Sequence, residues 1–127
     1  MKKIASFKLL GLIFGLILVW LVHNIYCQSG VIIIKNYVLS LSINSFNIVF
    51  LNIVFVLILG WVYLTNSFKS LGLILIGGMV NLIDRLYFGY VRDYWNLGGG
   101  VVNNLNDWII GIGVLLFLVE LLWKKSK

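Results

Sequence analysis

The chain has 127 residues, of which 61% are hydrophobic and 11% charged, and its net charge is +6 at pH 7. A soluble domain carries about 25% charged residues, and so short a chain has too much surface for its volume to hide this apolar area from water. A soluble globular domain is therefore excluded; the basic excess lies between apolar runs and at the ends, so it reads as membrane topology and no nucleic-acid partner is expected.

A membrane-spanning helix needs about 20 apolar residues, with a range of about 17–25. The first such run covers about 7–26. It follows Lys2 and Lys3, as the core of a signal peptide would. It is too long for such a core, and no small-x-small site follows near Tyr26-Cys27-Gln28, so it is expected to remain as a first span. The loop from Cys27 to Asn47 follows. Within it Val31–Ser42 is rich in Val, Ile, Tyr and Ser and is expected to form a short strand or hairpin on the outer face. Further spans are expected at about 48–64, 70–88 and 107–123, with Thr65–Lys69 as a tight turn between the second and third. Asn81, Asp84 and Arg85 crowd the far end of the third span. Charge is costly at the bilayer centre, so this end must reach the interface or face the bundle interior. The stretch from about Gly89 to Asn106 is a second outer loop, with Gly98-Gly99-Gly100 as a flexible tip. Gly72, Gly77, Gly78, Gly111 and Gly113 are expected to let helices approach closely.

Lys2, Lys3, Lys8, Lys69, Lys124, Lys125 and Lys127 fall on one side of these spans, and Lys35, Arg85 and Arg92 on the other. The excess of positive charge puts both termini in the cytoplasm. The expected fold is an all-α membrane protein: a four-transmembrane-helix bundle with a small extracytoplasmic β element, forming one domain over 1–127.

The chain has four acidic residues. Three of them, Asp84, Asp93 and Asp107, collect at the outer face. Asn81, Asp84 and Arg85 are spaced i, i+3, i+4 and share a helix face. Gly89 can end that helix before Asp93, and Asp107 opens the fourth span after Asn103, Asn104 and Asn106. Two carboxylates held close in a low-dielectric site cannot both ionise easily, so the pair shares a proton. Its ionised member can activate a water while the protonated member polarises a carbonyl, which is aspartic-protease chemistry. Each acid also has a plainer use. Asp84 could balance Arg85, Asp107 could cap the fourth helix, and Asp93 could be a solvated loop charge. His23 reads as an interfacial residue, Cys27 lacks a second histidine to activate it, and Glu120 is spaced to pair with Lys124.

The stretch VNLIDRLYFGYVRDY, followed by NNLND, resembles the lipoprotein signal peptidases (signal peptidase II), four-span aspartic peptidases of bacterial membranes. The family pattern GNxxDRxxxGxVxD(F) is matched at Asn81, Asp84, Arg85, Gly89, Val91 and Asp93, and FNxAD at Asn104 and Asp107. The resemblance implies that Asp93 and Asp107 are the catalytic pair. Asn81, Arg85 and Asn104 would line the substrate site, with Asp84 and Gly89 in structural support. A family motif near NxGxAFS is echoed by Asn36–Ser42, which adds Asn36 as a substrate contact. The sequence departs from the family at Val80 and Val38, where glycine is usual, and at Asn106, where alanine is usual. The segment between Ser42 and the second span is very short, whereas in the family it carries a small helix over the active site.

By resemblance, the substrate is a lipidated prolipoprotein cut just before its diacylglyceryl-modified cysteine. No metal or organic cofactor is implied. The expected setting is the bacterial cytoplasmic (inner) membrane, with a monomer working from the lipid bilayer and its active site at the outer face. Two other readings stay open: a non-enzymatic transport or assembly subunit whose acids bind an ion, and a metal-dependent enzyme using Asp84, Asp93 and Asp107 as hard oxygen ligands.

Overall fold

The computed structural model of the chain describes residues 2–37 and 45–126. Its apolar runs form four helices, α1 (Lys2–Gln28), α2 (Ser45–Thr65), α3 (Leu71–Phe88) and α4 (Leu105–Lys125). All four are long and apolar enough to cross a membrane, and each expected span coincides with one of them. The outward faces of α1, α2 and α4 carry exposed Leu, Ile, Val and Phe side chains, as lipid-facing surfaces do.

Among the described residues there are also four short strands: β1 (Ile34–Asn36), β2 (Val91–Asp93), β3 (Trp95–Gly98) and β4 (Val101–Asn103). The sequence suggested a strand or hairpin within Val31–Ser42. A strand does form there, β1, and it pairs antiparallel with the distant β2, with Ile34 opposite Asp93 and Asn36 opposite Val91. Val38 and the rest of the segment to Ser42 lie outside the described residues. The stretch expected to be a flexible loop is largely strand. β3 and β4 form a hairpin with a bulge between Asn96 and Gly98. Gly98, Gly99 and Gly100 all have positive φ (84°, 61° and 81°), so the glycine run is a built turn that residues with a Cβ would strain.

Helix α3 is the centre of the bundle and packs against the other three. In lipid, helix association relies on close packing and polar contacts, because lipid tails are as apolar as the side chains. The glycines show where the backbones meet. A Cβ on Gly77 would lie 2.6 Å from the Asn106 carbonyl oxygen and 2.7 Å from Ile110 Cγ1; one on Gly113 would lie 2.7 Å from Ile74 Cγ1. Gly72 sits against the Tyr63 ring. Gly78 and Gly111 face open space, contrary to expectation, because they point away from the α3–α4 seam. Gly15 makes a contact the sequence did not flag: its Cβ would meet Ile76 Cδ1 at 2.6 Å.

These glycines give a matched prediction. Alanine gains up to about 1 kcal/mol over glycine inside a helix. Gly78→Ala should keep or raise the melting temperature in detergent. Gly77→Ala should lower it, because overpacking costs about 1–3 kcal/mol and its obstacle is backbone. Equal melting of the two variants would contradict the α3–α4 seam.

At the opposite end from the sheets, Glu120 does not pair with Lys124. Its carboxylate accepts from Ser70 Oγ at 2.7 Å, because Ser70 comes down beside it at the start of α3. Lys124 reaches Ser67 and lies 3.7 Å from the centre of the Phe68 ring. Lys8 Nζ donates to the Tyr63 carbonyl at 2.9 Å and to that of Asn66, at the end of α2 where a cation complements the helix dipole.

Candidate active site

The site is built where α3 ends and α4 begins. Gly89 ends α3 with φ 80°, its N–H donating to the Arg85 carbonyl at 3.0 Å. A left-handed residue there is cheap only for glycine. The chain then turns at once into β2 and brings Asp93 back over the end of α3. Helix α4 begins at Leu105, two residues before the expected start, with Asn104 as its cap. Asn104 Oδ1 accepts from the N–H groups of Asn106 (2.8 Å) and Asp107 (3.1 Å). Asp107 Oδ2 accepts from the Asn104 N–H at 3.1 Å, which closes a capping box. Asp107 is thus not the cap residue; it lies one turn inside, where its carboxylate answers the orphan amide of Asn104.

Asn104 touches both aspartates. Its Nδ2 donates to Asp93 Oδ1 at 2.7 Å while its backbone N–H holds Asp107. Asp93 Oδ2 accepts from Asn36 Nδ2 at 2.8 Å, delivered by β1. Asp107 Oδ1 accepts from Asn81 Nδ2 at 2.9 Å. The structure therefore brings Asp93, Asp107, Asn36, Asn81 and Asn104 into one hydrogen-bonded group. Asp93 is fully buried and Asp107 half-buried. Burial pushes the Asp93 carboxyl above the usual carboxylate range, and the charge of Asp107 adds to this; the Asn36 and Asn104 amides and the Arg85 charge pull the other way without cancelling it. Arg85 sits one residue beyond Asp84 on α3, and its buried Nε has no hydrogen-bond partner.

Asp84 stands apart from this group. The sequence suggested a local balance with Arg85, but the partner is Arg92. Arg92 Nη2 donates to Asp84 Oδ1 at 2.7 Å, and Arg92 Nε and backbone N–H donate to Oδ2, each at 3.1 Å. The helix turn points the two adjacent side chains, Asp84 and Arg85, in different directions, and β2 carries Arg92 back onto Asp84. Burial works against the Arg92 charge, but its bonds to Asp84 hold the guanidinium above its ordinary value. His23, expected at the interface, is fully buried: α1 passes the end of α3, and His23 Nε2 lies 3.0 Å from Asp84 Oδ2. His23 Nδ1 lies 3.2 Å from Tyr94 Oη, which accepts from the Leu105 N–H at 2.9 Å. Burial pushes the Tyr94 hydroxyl up to about 12, so it stays protonated and able to donate. Asp84, Asp93 and Asp107 are thus two sites, and among the described residues no group of three His, Cys, Asp or Glu is placed to share a metal ion.

Sequence reasoning missed His23, Arg92, Tyr94 and Asn106. Arg92 left a signal: a buried-side cation in a charge-poor chain needs an acid, and Asp84 was the acid left over. His23 left none, since Asp84 and Tyr94 lie more than 60 residues away.

Fold and site together define a membrane protein of four helices with an asparagine-linked aspartate pair at one end of the bundle. The family model described as Signal peptidase (SPase) II matches residues 20–123, and the chain belongs to that family. A lipoprotein signal peptidase of Halothermothrix orenii is 47% identical over 58 residues, which make up 46% of this chain and 39% of that protein. One from Moorella thermoacetica is 49% identical over 53 residues, 42% of this chain and 35% of that protein. The aligned stretch thus spans well under half the length of these curated relatives. Two solved structures of a bacterial membrane enzyme share the fold. One has a TM-score of 0.74 at 19% identity, covering 92% of this chain and 93% of that one. The other has 0.75 at 21% identity, covering 95% and 90%.

Proposed function

We propose that the chain is an aspartic endopeptidase that removes signal peptides from prolipoproteins, cutting just before the diacylglyceryl-modified cysteine. The observation that carries this is Asn104, which hydrogen-bonds both Asp93 and Asp107 and so ties two carboxylates into one site. The family membership and the relatives' name, lipoprotein signal peptidase, point the same way.

In this reading the buried Asp93 holds the shared proton and Asp107 is the base. Asp107 takes a proton from water as its oxygen attacks the scissile carbonyl carbon, and Asp93 gives its proton to the carbonyl oxygen. Collapse of the tetrahedral intermediate breaks the C–N bond: Asp107 returns its proton to the leaving amine, and Asp93 takes one back from a gem-diol hydroxyl as the carbonyl re-forms. Arg85, with its unpaired Nε, and Asn36, at the end of a short strand, are placed to bind the substrate backbone. Asp84 and Gly89 hold the scaffold. The peptidase acts as a monomer in this reading. The lysines gathered at the far end support cytoplasmic termini, with the aspartates at the outer face of the bacterial inner membrane.

The test is cleavage of a synthetic precursor peptide by the purified chain in phospholipid vesicles. The lipidated peptide should yield a new N-terminus at the modified cysteine, and the unlipidated one should remain intact. Activity should survive EDTA; loss on chelation would favour the metal-dependent reading. No cleavage of the lipidated peptide, with ion flux in the same vesicles, would favour a transport subunit.

A further inference from the structure

Asn81 carries the bond to Asp107, and its amide orientation is fixed from behind. Asn81 Oδ1 accepts from Asn106 Nδ2 at 2.8 Å and from Asn104 Nδ2 at 3.2 Å. Two donors on the oxygen leave only Nδ2 to face Asp107. Were the amide reversed, its oxygen would face the carboxylate and its NH2 would face two other NH2 groups. Asn106 is itself fully buried, and its Oδ1 has no hydrogen-bond partner. A buried polar atom left unpaired is costly, so something must hold Asn106 in this orientation. Besides Asn81, the neighbour on the Nδ2 side is His23 Nδ1, at 3.5 Å.

The tautomer of His23 then matters. Asp84 Oδ2 needs a proton on Nε2, which leaves Nδ1 as an acceptor. The single Nδ1 lone pair is shared as a three-centre contact by the Tyr94 O–H, whose oxygen already accepts from Leu105, at 3.2 Å and the Asn106 NH2 at 3.5 Å. A proton on Nδ1 would go to the nearer Tyr94 oxygen and leave the Asn106 NH2 beside a donor, with no acceptor on the ring. Cys27 Sγ, 3.8 Å from Nε2, and Arg92, bound to Asp84, complete the surroundings of the ring.

We propose that Asn106 and His23 are positioning residues of the aspartate pair: His23, protonated on Nε2, and Asn106 together hold the Asn81 amide with its N–H toward Asp107. This rests on the aspartate-pair reading above. The residue at 106 is one of the points where the chain departs from the family pattern, and the partner that makes it useful, His23, comes from a different helix.

Two measurements test it. The chain has one histidine, so nitrogen-15 labelling of histidine gives one imidazole spectrum. Near neutral pH, Nε2 should appear as the protonated nitrogen and Nδ1 as the bare one; a proton on Nδ1 would overturn the proposal without any variant. In the lipidated-peptide assay, Asn106→Ala should lower kcat about tenfold, the scale of one lost hydrogen bond, with KM within about twofold. His23→Gln, which can still reach Asp84 but has no ring nitrogen toward Asn106, should do the same. The double variant should be no slower than the slower single one, because both act through Asn81. Wild-type kcat in Asn106→Ala, or losses that multiply in the double variant, would overturn it. Asp93→Asn and Asp107→Asn run alongside separate the two ideas. If these still cleave, the pair reading fails; if they are dead while Asn106→Ala is normal, only the positioning role fails.

Discussion

Asp93→Asn and Asp107→Asn are each expected to lower cleavage of a lipidated precursor by at least about 100-fold, the low end of what a positioned acid or base contributes. The two should part company in stability. Asp93 is fully buried, and its carboxyl is held above the usual range chiefly by burial. Folding therefore favours its protonated form. That stabilising contribution is complete below the ordinary carboxylate value and is lost as pH rises through the raised one. Asparagine is neutral at every pH, so Asp93→Asn should melt above the wild type at neutral pH and converge with it in acid. Asp107→Asn removes one of two acceptor oxygens used by Asn104 and Asn81, breaking the capping box at the start of α4. It should melt lower, by the equivalent of about 1 kcal/mol. The same raised value sets the basic limb of the kcat/KM profile, since activity is lost as Asp93 gives up its proton. A basic limb within the ordinary carboxylate range, or a variant of either aspartate that cuts normally, would contradict the assignment.

Asp84→Ala should cause the largest loss of stability of any single change in the chain. Its carboxylate is fully buried and receives Arg92 and His23. Removing one partner of a buried ion pair leaves the other charge uncompensated, at about 3–5 kcal/mol. Against a total stability of about 5–15 kcal/mol for a domain, little protein should remain folded in detergent at moderate temperature. Adding Arg92→Leu should recover part of the loss, because it removes the stranded charge. A double variant as unstable as Asp84→Ala alone would mean that Asp84 serves His23 more than Arg92.

The sequence made the helices legible because a span is a matter of local composition: about 20 apolar residues in a row announce themselves without reference to anything distant. The aspartate pair was legible for a related reason, scarcity of charge in a chain built for lipid. What stayed hidden depends on contacts between remote segments. Asn104 was expected to line the substrate site, and its capping role shows only when the Asn106 and Asp107 amides are seen turning toward it. Asp84 was matched to Arg85 because the two are neighbours, yet adjacent positions on a helix do not face one another. His23 was read alone because Asp84 sits on α3 and Tyr94 just after β2, both remote in sequence. The strand at Ile34–Asn36 was legible as strand, while its pairing with Val91–Asp93 was not, since register across 57 residues leaves no local mark.

That pairing bears on how the protein is made. The chain leaves the ribosome at about 5–20 residues per second. Asn36 must therefore wait several seconds for its acceptor on Asp93, and longer for Asn104 and Asp107 on the last helix. Until α4 is inserted, the first aspartate has neither its cap asparagine nor its carboxylate neighbour. A nascent chain halted after three spans would carry most of the apolar mass and none of the paired site. The two aspartates are thus brought together only once the fourth span has joined the other three.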